Sequence, residues 1–161
     1  MVGLLAAALV ALAEGRVSAH IGIDPGKAPR GEEVKTLHFQ VPNESDTAST
    51  VKLELQLPQS PRFTFVRAQP TPGWAGSTQK VNTTITAVIW EGGEIKPGEF
   101  QEFGVRVGPL PKKGKQVVFK ALQTYSNGDV SRWIEESVKG TPEPEYPAPV
   151  LKLVAGKSSG H

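Results

Sequence analysis

The chain is 161 residues long, enough for one domain with a real core, and it contains no cysteine, which excludes a disulfide framework and a thiolate metal site. A formal net charge of +2, with no basic cluster interleaved with aromatics, gives no footprint for a nucleic-acid partner. No Walker-type phosphate loop and no GxSxG elbow is present, so phosphoryl transfer on a P-loop and α/β-hydrolase chemistry drop out as well.

From the amino terminus, Leu4 to Leu12 is almost wholly Leu, Ala and Val. That run is too short to span a bilayer, which takes about 20 apolar residues, but it fits the core of an export signal. Small residues at Val17-Ser18-Ala19 stand where signal peptidase cuts, so residues 1–19 are expected to be a signal peptide and the protein to act outside the cytoplasm. No Lys or Arg lies between Met1 and Leu4, and a natural start upstream of Met1 would supply the missing charge. A buried N-terminal helix is the competing reading, disfavoured because Gly15 and Arg16 break its apolar face. Cutting after Ala19 makes His20 the first residue. Its free α-amine and imidazole then form one chelate of the kind that suits tetragonal Cu(II).

Beyond His20 the chain reads as short strands punctuated by its 17 Gly and 14 Pro. Thr36 to Val41 turns Leu37, Phe39 and Val41 inward and leaves His38 and Gln40 outside. Val51 to Leu57 alternates apolar and polar without error, and Phe103, Val105 and Val107 alternate with Glu102, Gly104 and Arg106. Further strands are expected at Phe63–Arg67, Thr84–Trp90, Gln116–Tyr125 and Val130–Val138, with Asn127-Gly128 as a two-residue hairpin turn between the last two. Thr141 to Pro149, rich in proline, cannot donate a regular ladder and should run extended along an edge. No stretch keeps a helical period. The spacing predicts an all-β protein, an immunoglobulin-like antiparallel sandwich over residues 20–153 with a short barrel as the alternative, followed by a disordered tail at 154–161.

Some residues sit awkwardly in this pattern. Trp133 falls on the polar face of its strand with Ser131 and Glu135, which asks for a partner, whether a ligand or a covering loop. Trp74 and Trp90 read as core or loop-packing residues. Glu44 follows Pro42, where its strand must end, and composition alone does not set it apart from the turn carboxylates Glu91, Glu94 and Glu99. Those three match no calcium-loop spacing. The other histidines are His38 on an outer strand face and His161 at the terminus.

Taken together, Ala19-His20, Phe39-Gln40-Val41-Pro42-Asn43-Glu44, Pro72-Gly73-Trp74 and Ile89 through Phe100 resemble the bacterial YcnI-like proteins. Phe119-Lys120, Gln123 through Gly128, Arg132-Trp133-Ile134-Glu135 and Pro147-Ala148-Pro149 continue the resemblance in order across nearly the whole mature chain. That family is a secreted or membrane-tethered immunoglobulin-like domain found beside copper-handling proteins, and it binds Cu(II) through a single-histidine brace. The resemblance implies that His20 chelates copper through amine and ring, that Glu44 is a further ligand, and that Trp133 sits against the metal. It also implies a copper transporter or periplasmic copper chaperone as partner. The C-terminal membrane helix common in the family is missing from these 161 residues.

Such a site would hold copper rather than activate oxygen, as in a carrier, chaperone or sensor that is not an enzyme. Its nitrogens must be deprotonated to bind, so affinity is expected to weaken below about pH 7. Two other readings compete. A copper oxygenase would need a second imidazole, for which His38 is the ordered candidate, and an open coordination position. A metal-free module binding protein or cell wall would use Trp133 as an interface anchor.

Overall fold

The computed structural model describes residues 19–156, so the expected signal peptide, apart from Ala19, and most of the expected tail lie outside the described residues. Twelve strands follow in chain order: β1 (Gly22–Asp24), β2 (Lys27–Pro29), β3 (Lys35–Pro42), β4 (Thr50–Gln56), β5 (Phe65–Ala68) and β6 (Ala75–Val81), then β7 (Thr84–Ile95), β8 (Phe100–Gly108), β9 (Gln116–Val118), β10 (Lys120–Tyr125), β11 (Val130–Trp133) and β12 (Val150–Val154). There is no helix among the described residues. One sheet runs β1-β3-β8-β5, the facing one β11-β10-β4-β7-β6, and a small third sheet β2-β12-β9 closes one end. All pairings are antiparallel except β12 with β2.

The alternating residues build the sandwich core as their period requires. Leu37, Phe39 and Val41 of β3 and Phe103, Val105 and Val107 of β8 face Leu53 and Leu55 of β4, Val88 and Trp90 of β7 and Ala121 of β10. Two facing sheets, rather than one closed ring, exclude the short barrel.

Several elements depart from the sequence expectation. The run from Gln116 to Tyr125 is two strands in different sheets: β9 pairs with β12 and β10 with β4. The break falls at Phe119, which drops its ring into the core against Phe39 and Phe63 while its amide donates to the Pro149 carbonyl. The strand begun at Val130 stops at Trp133, where Glu135 instead pairs with the proline-rich segment through Tyr146 and Ala148. The segment meets the sheet at a single parallel bridge between Pro147 and Glu135, just beyond the end of β11. The turn at Asn127-Gly128 is one residue longer than expected. The Gly128 amide donates to the Tyr125 carbonyl, the Tyr125 amide donates to the Asp129 carbonyl, and Gly128 alone of the turn takes a positive φ, 90°. A three-residue loop with a glycine bulge results, because Asn127 stays at negative φ and its side chain holds Asp129. The edge strand β6 carries no alternation at all, since every residue in it is exposed.

Candidate metal centre

The β1–β3 ladder places the amino-terminal segment. Gly22 lies opposite Gln40, and continuing that register brings His20 beside Pro42. The backbone amide of Ala19 donates to the Glu44 carboxylate. Glu44 is held there by Asn43, which is 2% exposed. The Asn43 side-chain amide donates to the Ala48 and Ile95 carbonyls at 2.8 Å each, and its oxygen accepts from the Ser45 amide at 2.9 Å. The main chain of Asn43 is tied to Gly98 and Glu99. A tight Asx turn therefore presents an exposed carboxylate at the end of β3.

Trp133 corrects the sequence expectation. Its strand turns Val130 and Ile134 outward, at 39% and 37% exposure, and sends Trp133 inward at 2%. The polar face of the pattern is the inner face here, because Tyr146 of the proline-rich segment covers the indole at 5.3 Å between ring centroids. The His20 ring meets the other side of Trp133 edge-on, 6.2 Å away at 63°. The covering loop is thus real, and the imidazole is part of the same aromatic cluster.

Gln123, which sequence reasoning did not single out, ties these parts together. It is wholly buried, accepts from the Trp133 indole N–H at 3.0 Å, and donates to Thr50 Oγ1 and the Pro42 carbonyl at 2.8 Å each. One side chain therefore fixes both the indole and the strand end opposite His20. The signal was present in the parity of β10, where Gln123 shares the inward phase of Ala121.

Carboxylates and phenols surround this cluster. The Nδ1 of His20 lies 3.4 Å from Glu143 Oε1. Burial raises the Tyr125 hydroxyl above its ordinary pKa, against the opposing Ser131 hydrogen bond, and the charge of Glu44 adds to the rise. Tyr146 is also raised, chiefly by the neighbouring Glu145 carboxylate, with smaller contributions from Tyr125 and Glu44. The segments 40–52, 91–102 and 125–146 meet at this end of the sandwich through the pairs Pro42 with Phe100, Thr50 with Ile95 and Tyr125 with Thr50. They carry eleven Asp and Glu but four Lys and Arg, so the field here attracts cations.

The other candidates are not brought in. His38 sits opposite Asp24, four residues along β3 from Pro42, which at about 3.3 Å per residue is roughly 13 Å away. It cannot share an ion with His20. Glu94 accepts from Ser49 and Glu99 from the Lys96 amide, as turn carboxylates do. Among the described residues no group of three or more His, Cys, Asp and Glu side chains is placed to hold a metal ion. His161 lies outside the described residues.

Residues 20–153 match the family described as domain of unknown function DUF1775. The chain is similar to the copper-binding protein CutI of Bacillus subtilis (strain 168), 32% identical over 127 residues, 78% of this chain and 60% of that protein. It thus spans about three fifths of that relative's length. It is also similar to a crystal structure of a protein from Nocardia farcinica with an immunoglobulin-like fold, at 36% identity and a TM-score of 0.76, over 84% of this chain and 99% of that one. The sandwich described above is therefore immunoglobulin-like.

Proposed function

This chain belongs to the DUF1775 family, the YcnI-like group that its sequence resembles, and from that premise we propose that it binds copper as Cu(II) outside the cytoplasm and carries, chaperones or senses it. In this reading a cut after Ala19 frees the His20 amine, which with the imidazole supplies two nitrogens, and Glu44 supplies an oxygen that also offsets the ion's charge. The observation that carries the proposal is the reach of the Glu44 carboxylate to the backbone beside His20, next to Trp133. With no cluster of three His, Cys, Asp and Glu side chains among the described residues, a terminal amine would supply the further nitrogen that Cu(II) favours. Trp133, buried and pinned by Gln123, acts as an apolar wall rather than as a ligand, because an indole is a poor σ-donor. The acidic surround raises the local cation concentration. The distance to His38 leaves the site without a second imidazole among the described residues, which favours holding copper over oxygen chemistry. The relative's name extends to copper binding, and a transporter or chaperone as the receiving partner is part of this proposal.

The test compares Cu(II) titrations of the chain beginning at His20, the same chain with one residue added before it, and the Glu44→Ala variant. Blocking the amine is expected to weaken binding by about a hundredfold, some ~2.8 kcal/mol, and Glu44→Ala by at least about tenfold. The EPR spectrum of the first should be tetragonal with nitrogen hyperfine structure. Equal affinity with and without the added residue refutes the brace. A second reading, a metal-free interaction module, draws on Phe100 and Val138, exposed at 66% and 64%. It gains if none of the three proteins binds copper.

A further inference from the structure

The near-neutral net charge conceals a strongly polar molecule. The segments 24–38, 53–68, 75–88, 104–120 and 150–156 meet at the end opposite the metal centre, through Lys35 with Val107, Lys120 with Gln56, Phe65 with Gly108 and Lys152 with Lys27. They hold twelve Lys and Arg against four Asp and Glu. The separation leaves most of these cations without a carboxylate partner among the described residues. Among the described residues there are two ion pairs, and Lys35 with Glu32 is the one at this end.

This end also has a groove. A cavity of about 320 Å³ opens between β5, β7 and the turn before β7, lined by Arg62, Arg67, Lys80, three threonines (Thr64, Thr83 and Thr84) and the apolar Phe63, Val66 and Ile85, with no Asp or Glu on its walls. Arg67 is stacked over Phe65 at 5.0 Å and donates to the Val66 carbonyl at 2.8 Å, so part of its guanidinium is already oriented. Arg62 leans on Thr84 Oγ1 at 3.4 Å. Three cationic residues and three threonines lining one cavity with no carboxylate suit a tetrahedral oxyanion.

We propose that this basic end docks on an anionic phospholipid bilayer, with the Arg62–Arg67–Lys80 groove taking one lipid phosphate. A flat, multiply charged surface is the occupant that engages the groove and the Lys112-Lys113-Lys115 turn at once, which a single small anion cannot do. Docked this way, the acidic end faces away from the headgroups, where like charge would repel it. The inference is independent of the copper reading.

Flotation of the chain beginning at His20 with phosphatidylglycerol-containing vesicles and with pure phosphatidylcholine vesicles tests it. Binding is expected to the anionic vesicles alone, and to vanish between ~0.1 M and ~1 M salt as the screening length falls from ~10 to ~3 Å. Charge reversal by Arg62→Glu with Lys80→Glu should weaken partitioning by about 30-fold or more, since each cation near an anionic surface contributes on the order of 1 kcal/mol. The separate Lys112→Glu/Lys113→Glu variant should weaken it too, and far-UV circular dichroism checks that both stay folded. Equal binding to the two vesicle types overturns the proposal. So does unchanged partitioning of both variants, or binding abolished by inorganic phosphate at constant ionic strength, which would assign the groove to a free anion.

Discussion

Replacing Gln123 by Leu isolates the polar link that holds the centre together. Leucine keeps an apolar chain of similar size in the core but removes the acceptor of the Trp133 indole N–H and the donor to both the Pro42 carbonyl and the buried Thr50 Oγ1. Each buried group left unpaired costs about 1–3 kcal/mol. Added apolar burial returns roughly 1 kcal/mol. The net loss of stability should be about 3–5 kcal/mol, the lower figure applying where the Thr50 hydroxyl turns to another acceptor, which is a fall in Tm of about 10–15 °C for a domain of this size. Urea unfolding followed by tryptophan fluorescence and circular dichroism measures it. The double variant Gln123→Leu with Trp133→Phe should cost less than the two single changes added together, because the phenyl ring no longer has an N–H to strand. If Gln123→Leu lies within about 0.5 kcal/mol of the parent, as for an ordinary surface change, the link does not hold the wall in place.

Alkaline pH and a close-packed glycine give two further checks. Tyr125 is held above the ordinary tyrosine range by burial and by Glu44, so the folded state prefers the neutral phenol. That contribution to stability is fully present below pH ~10 and is lost as pH rises through the higher folded value. Ultraviolet titration of phenolate absorbance should show Glu44→Gln ionising at lower pH than the parent, and coincident curves would remove Glu44 from the neighbourhood of Tyr125. Gly93 is packed so closely under Trp74 that an added Cβ would lie 2.2 Å from the indole. Gly93→Ala should therefore destabilise by about 1–3 kcal/mol in urea unfolding, and an unchanged midpoint would mean that the indole moves freely.

The sequence shows strands clearly wherever one face is buried and the other wet. β3, β4 and β8 are legible for that reason, because period-2 alternation is the imprint of a half-buried sheet. β6 leaves no imprint because it is an edge with no buried face, and its pairing is visible only in three dimensions. The division at Phe119 is hidden because both flanking strands share one inward parity, so a change of sheet does not change the pattern. Trp133 misleads for a related reason. Its strand is only four residues long, and the residue two before it, Ser131, is polar because it contacts the Tyr125 hydroxyl rather than aliphatic core, while the indole itself meets Gln123. His20 stands out by its chemistry, and Glu44 by the resemblance alone. Gln123 does not stand out, because a buried glutamine looks like any polar residue until its partners are known.

In the proposed copper reading, the pairing of β1 with β3 acts as a ruler for where the mature polypeptide begins. Each residue's offset from Pro42 is set by interstrand registry, so a maturation cut displaced by a single bond is not corrected by sliding. One position late, the leading residue is Ile21, whose side chain is committed to the interior at 5% exposure. One position early, the nitrogen beside the imidazole stays a peptide. In the same reading, accuracy to one bond in that cut is part of the domain's chemistry, and a scar residue left before His20 is expected to give a folded protein that binds copper more weakly.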